Sequence, residues 1–162
     1  MLIVSDTSPI RALHAVGCVS LLKSLYQSVY IPPAVELELA HSPAGLPPIL
    51  IAEYEFLQVR SAGQIVPEAS NLDPGEREAI SLARELGAEW LLIDERRGQR
   101  VAKFLGIQTV GILGMLIAAK REKLVPAVAP ILKELRTCGR FFISDELMRE
   151  VLDVAGERDV PS

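Results

Sequence analysis

The sequence predicts an α/β domain with a central parallel sheet covered by helices on both faces. Three observations carry that expectation. The strand candidates are short and uniformly apolar, without the alternation of a half-exposed strand. They are separated by helical segments, several opened by Pro and closed by Gly. The chain has 162 residues, the size of one domain, and is 49% hydrophobic but only 5% aromatic, so its core must be aliphatic.

Taken in order, Leu2 to Ser5 reads as the first strand. Ser8-Pro9 opens a helix, with Ser as the cap and Gly17 beyond its end. Val19 to Leu25 fits a second short helix and Val29 to Ile31 a strand. Pro32-Pro33 starts a helix through Ala40. Ile49 to Phe56 reads as helical and Leu57 to Arg60 as a strand. The clearest helix spans Pro74 to Leu86, where Ala79, Ile80, Leu82, Ala83 and Leu86 recur at helical spacing before Gly87. Trp90 to Ile93 is a fully apolar strand. Arg96 to Leu105 is a helix closed by Gly106, and Ile107 to Val110 a strand. Helices follow at Ile112–Glu122 and Ala127–Thr137. A last strand is expected at Phe141–Ile143 and a last helix at Asp145–Ala155. The loop-rich zone from Ser42 to Pro48 reads as a hinge or variable insertion rather than a domain boundary.

A formal net charge of −4 argues against a broad basic surface for duplex DNA, though not against a local basic rim. Cys18 and Cys138 give no disulfide framework and no CxxC, which fits a reducing cytoplasm. The N-terminus lacks the layout of a secretory signal, and the longest apolar run, Ile112 to Ala119, is far short of a membrane span. With two histidines and two cysteines a zinc site is not expected, and His14 reads as structural. No P-loop, dinucleotide fingerprint or nucleophile elbow occurs.

In open parallel sheets, ligands sit beyond the carboxyl ends of the strands. Asp6 directly follows the first strand, and Asp94 directly follows Trp90–Ile93. Glu76 has two readings. It completes a capping box with Asp73, yet it also shares the buried face of Ala79, Ile80 and Ala83. Glu36 and Glu38 are two apart on one helix, so at most one enters a pocket, and spacing does not choose. Clustered carboxylates repel unless a cation balances them. Mg²⁺ or Mn²⁺ prefers oxygen ligands and lowers the pKa of a bound water.

The order of these acids and their neighbours resembles the PIN-domain family, and more closely a prokaryotic PIN-like branch. The resemblance rests on Val4-Ser5-Asp6-Thr7-Ser8-Pro9-Ile10, on Ile31-Pro32-Pro33-Ala34-Val35 with Glu38, and on Gly75-Glu76 with Glu78-Ala79-Ile80. It continues through Leu91 to Gly98, Gly111 to Leu116 and Ile143 to Leu147. It implies one PIN-like domain over 1–162, a three-layer α/β/α fold around a parallel sheet, and metal-dependent ribonuclease activity that includes toxins of toxin–antitoxin pairs. By position it implies Asp6, Glu38, Glu76 and Asp94 as the acids that hold Mg²⁺ or Mn²⁺ and orient the attacking water, which selects Glu38 over Glu36. Thr7 or Ser8 matches the hydroxyl that supports the first acid. Two departures stand out: Glu rather than Asp at the third position, and Arg97 where many members carry a further acid.

Arg96, Arg97, Arg100 and Lys103 follow Asp94. Arg96 and Arg97 read as phosphate contacts, Lys103 as a solvated position, and Arg11 as a weaker candidate. The expected substrate is single-stranded or looped RNA. The expected partners are an antitoxin protein and a second copy of the chain in a homodimer, with no membrane. The competing expectation is a PIN-like module with little catalysis that binds RNA or protein. An aspartyl-phosphate mechanism is disfavoured because Ser8 stands where a second Asp is needed.

Overall fold

A computed structural model of the chain describes residues 1–43, 46–138 and 141–157. Five strands form one all-parallel sheet in the order β3-β2-β1-β4-β5: β1 (Ile3–Ser5), β2 (Val29–Ile31), β3 (Leu57–Val59), β4 (Trp90–Leu92) and β5 (Thr109–Val110). Among the described residues the helices are α1 (Thr7–Ala15), α2 (Ser20–Tyr26), α3 (Pro33–Ala40), α4 (Pro74–Leu86), α5 (Arg96–Phe104), α6 (Ile112–Arg121), α7 (Ala129–Thr137) and α8 (Asp145–Val154).

Core side chains leave both faces of the sheet. Ile3, Val29, Ile31, Leu57 and Leu92 pack on one side with α1, α2, α3, α6 and α7. Val4, Leu91 and Ile93 pack on the other with Ala79, Ile80, Leu82 and Ala83 of α4 and Ala102 of α5. Adjacent residues of β1 and β4 thus serve opposite layers, which is why the apolar runs do not alternate. The α/β/α architecture expected from the sequence is the one observed.

Strand order fixes where a ligand can enter. The chain steps from β1 to β2 to β3 in one direction, then returns to place β4 on the other side of β1 and continues outward to β5. β1 and β4 pair in register from Ile3↔Trp90 to Ser5↔Leu92. Their connections leave in opposite directions and open a crevice at their carboxyl ends. Asp6 and Asp94 stand at those two ends.

Three local expectations are corrected. Only a short 3₁₀ turn, Ile51–Glu53, forms within Ile49–Phe56: Ile49 is buried and tied through its N–H to the Leu39 carbonyl at 2.9 Å, and Ile51, Tyr54 and Phe56 pack on the core without helical spacing. Phe141–Ile143 is not a strand: among the described residues no strand pairs with it, and the Ile143 carbonyl instead accepts from Arg136 Nη2 at 2.8 Å. Helix α1 begins at Thr7 with Asp6 as N-cap residue, so Ser8 lies inside its first turn and is not the cap. Other element ends differ from expectation by a residue or two, the usual fraying. Gly45, within the loop-rich zone expected at Ser42–Pro48, lies outside the described residues. No helix of the described residues is long and apolar enough to cross a membrane.

Candidate active site

The crevice is walled by helix N-termini. Asp6 occupies the N-cap position of α1, its backbone N–H donating to the Leu92 carbonyl of β4 at 2.9 Å. Its side chain makes no cap bond to the helix, and the residue is only 4% exposed. Glu38, from the last turns of α3, reaches the start of α4, where Oε1 accepts from the Gly75 N–H at 3.0 Å and Oε2 accepts from the Thr7 hydroxyl. Asp94 turns to the start of α6, where Oδ1 accepts from the Ile112 N–H at 3.0 Å. Glu76 sits in the first turn of α4. The positive ends of α4 and α6 thus favour the carboxylates they hold.

Two glycines make this approach possible. A Cβ on Gly75 would lie 2.7 Å from Glu38 Oε2, and one on Gly111 would lie 2.6 Å from Asp94 Oδ1. Arg11 braces the wall, its Nη2 donating to the Glu38 backbone carbonyl at 2.7 Å. Asp6, Thr7, Glu38, Asp73 and Glu76 line one cavity of about 610 Å³.

The electrostatics follow from this crowding. Burial pushes the Asp6 carboxyl up to about 6; the Thr7 N–H opposes this, and Glu38, Asp94 and Asp73 add to it. Glu76 rises to about 7, first through burial, then through Asp6, Asp73 and Glu95, with Arg97 pulling the other way. Asp94 also rises to about 6 through burial, partly offset by the Ile112 N–H. Asp94 Oδ2 is buried with no hydrogen-bond partner.

The four acids expected from the sequence are therefore neighbours at one end of the sheet, but they do not share one hollow. Asp94 lines an adjoining cavity of about 580 Å³, with Ser8 and Arg11 common to both. Among the described residues, no three of His, Cys, Asp or Glu stand close enough to hold one ion as they are placed. The reason is that Glu38 and Asp94 are each drawn to the N-terminus of a different helix. Their donor chemistry still fits a hard divalent cation: the groups are all carboxylate oxygens, and one of them, Asp94 Oδ2, is buried and unpaired.

The remaining candidates are also placed. Glu38 faces the cavity while Glu36 is exposed. Thr7 bonds Glu38 rather than supporting Asp6 through its hydroxyl, and Ser8 is exposed on the shared wall. The capping box at Asp73 does not form; Glu76 lines the cavity instead. Arg97 is near enough to Glu76 to favour its anion, and Arg96 faces the Asp94 side. Sequence reasoning missed Asp73 as a wall of the cavity and the Gly75 and Ile112 N–H groups as acid holders. The available signal was a glycine at the head of each of the two helices.

The sequence matches the DUF3368 family model, described as a PIN domain, over residues 2–157. The chain belongs to the PIN-domain family. PIN domains are generally metal-dependent nucleases that use divalent cations. A solved PilT N-terminus domain protein from the hyperthermophilic archaeon Sulfolobus solfataricus P2 is similar in structure, with a TM-score of 0.52 and 23% identity. The match covers 74% of this PIN domain and 93% of that chain, and it supports the fold. No curated protein matches the sequence.

Proposed function

We propose that this PIN domain is a divalent-metal-dependent ribonuclease that hydrolyses RNA phosphodiesters. The observation that carries the reading is the delivery of Asp6 and Asp94 to the crevice between β1 and β4, flanked by Glu38 and Glu76. Asp6, Glu76 and Asp94 have carboxyl pKa values raised to about 6, 7 and 6. Crowded acids so shifted are ones whose mutual repulsion a bound cation would relieve, displacing their protons as it binds.

Asp6, Glu38, Glu76 and Asp94 would hold Mg²⁺ or Mn²⁺ once their side chains turn toward one ion, with Glu38 positioned by Thr7 and Gly75. When bound, the cation supplies an activated water and offsets phosphate charge. The chain's own residues do the rest. Thr7 and Gly75 keep Glu38 from turning away, Arg97 favours the Glu76 anion, and Arg96 and Arg11 attract the RNA backbone from the Asp94 side. A role as a toxin of a toxin–antitoxin pair, acting as a homodimer, is an extension of this reading.

The separation of Asp94 from the other acids favours a second reading, a PIN-like module that binds RNA or protein with little catalysis. Purified protein, mixed RNA and Mn²⁺ distinguish the two. The nuclease reading expects cutting that EDTA stops and that falls about a hundredfold or more in both Asp6→Asn and Asp94→Asn. Equal residual cutting in wild type and both variants would mark a contaminant and leave only the binding module.

A further inference from the structure

The acid cavity continues beyond its own walls. Ser8 and Arg11 line it and also line the hollow that holds Asp94, Arg96, Phe141 and Phe142. Arg96 in turn lines a third depression of about 700 Å³ with Trp90, Gln99, Arg100 and Lys103. The shared residues set the three hollows next to one another, from the acids past the start of α5 and along that helix.

Charge changes sign along these hollows. Beyond the acids, Arg96, Arg100 and Lys103 recur at i, i+4 and i+7, on one helix face over a rise of roughly 10 Å. All three are exposed. Among the described residues none of them is in an ion pair; the pairs are Lys120–Glu157 and Arg136–Asp145. A chain of net charge −4 thus presents three cations in a row outside the ion pairs of the described residues. Like charges at this spacing repel, so the row costs stability unless a polyanion covers it.

Phe142 adds a second, independent feature. It is 89% exposed, in a chain with only four phenylalanines. The chain next to it is anchored: Ile143 is buried, and its carbonyl accepts from Arg136, which also pairs with Asp145 at 3.0 Å. An exposed aromatic ring lining the same hollow as Arg96 is a surface on which an unpaired base stacks.

The geometry points to a single-stranded RNA track in which one unstacked base lies on Phe142 and the following phosphates lie on Arg96, Arg100 and Lys103. The inference rests on the nuclease reading for the position of the scissile phosphate and deepens it by naming the path of the strand. A duplex cannot use the track, because its bases are already stacked and paired. An acidic protein partner could meet the cations but has no flat base for the ring.

Fluorescence anisotropy with a labelled 12-nucleotide single strand tests this in EDTA at low salt, where no cutting occurs. The double variant R100A/K103A is expected to weaken binding about tenfold and to lower the salt-dependence slope by about 1 to 1.5. Phe142→Ala is expected to weaken binding about tenfold without changing that slope. Arg84→Ala, an exposed cation in the last turn of α4, is expected to bind like wild type. Far-ultraviolet circular dichroism confirms that each variant is folded. Wild-type affinity in R100A/K103A and Phe142→Ala overturns the track, as does an equal loss in Arg84→Ala or a duplex bound as tightly as the single strand. Binding that depends on the track in a protein that fails to cut with Mn²⁺ supports the track and sinks only the nuclease reading.

Discussion

Gly75 decides how close Glu38 can come to the head of α4. With a Cβ placed 2.7 and 2.8 Å from the two Glu38 oxygens, Gly75→Ala must push that carboxylate out of its bonds with the Gly75 N–H and the Thr7 hydroxyl. The backbone itself should accept the change, since alanine suits a helical first turn better than glycine. Cleavage in Gly75→Ala is therefore expected to fall about 10- to 100-fold, the range seen when the groups that orient a metal ligand are lost, with little change in melting temperature. Parallel rate and melting measurements check this, and wild-type cutting by Gly75→Ala would show that the placement of Glu38 is immaterial. At this scale the sequence was partly legible. Asp6 and Asp94 could be read because each directly follows an apolar run. Glu76 could not be separated from a capping role, because its position in the first turn of α4 serves either purpose. Asp73 passed as an ordinary cap, since its effect on Asp6 and Glu76 acts through space.

Among the elements, α4 was read to its exact bounds because Pro74 opens it and Gly87, at φ +62°, closes it in the left-handed conformation that glycine tolerates. Phe141–Ile143 was misread because strand-forming side chains say nothing about whether an unpaired sheet edge lies within reach. Cross-element capping was equally invisible. Glu38 of α3 holds the head of α4, while Glu78 of α4 accepts from the Ala34 N–H at the head of α3 at 3.2 Å, so each helix caps the other. Glu157, just beyond α8, is the strongest case. It is buried, pairs with Lys120 of α6 at 2.9 Å, and accepts the Val128 and Ala129 N–H groups at the head of α7 at 2.7 and 3.1 Å. Burial alone would raise its pKa, but the bonds from Val128, Lys120 and Ala129 more than offset this and hold it below 4.5. Its contribution is thus present above pH 4.5 and lost as pH falls through the lower, folded value. Glu157→Ala leaves two helix donors without partners and Lys120 with only the Ala155 carbonyl, at a cost of about 2–3 kcal/mol. That corresponds to a melting temperature about 5–10 °C lower at neutral pH. Thermal melts of Glu157→Ala check this, and a drop under about 2 °C would mean that the three helices are held together without it.

Across the whole molecule, strand order and the acid cluster together set how stability responds to pH. The sheet places its most crowded carboxyls where β1 and β4 diverge, so folding moves them out of water and toward one another. Asp6 and Asp94 shift from 3.8 to about 6, and Glu76 from 4.5 to about 7. A group whose folded pKa lies above its unfolded value binds its proton more tightly in the fold. Its stabilising contribution is therefore complete below about pH 4 and disappears as pH rises through 6 to 7. Glu157 works in the opposite sense only below about pH 4.5, so the metal-free protein is expected to lose stability steadily as pH rises above about 5. Between pH 5.5 and pH 8 in EDTA its melting temperature is expected to fall by about 4–8 °C. Asp6→Asn removes one of the strained carboxylates and is expected to flatten that fall and to melt higher than wild type at pH 8. A divalent cation that binds the folded acids must displace their protons, so Mn²⁺ is expected to raise the melting temperature more at pH 8 than at pH 5.5. Melts of both proteins across this range, with EDTA and with Mn²⁺, read all three effects. If wild-type stability in EDTA climbs from pH 5.5 to 8, and Asp6→Asn climbs with it, the crevice does not crowd its acids as the fold indicates.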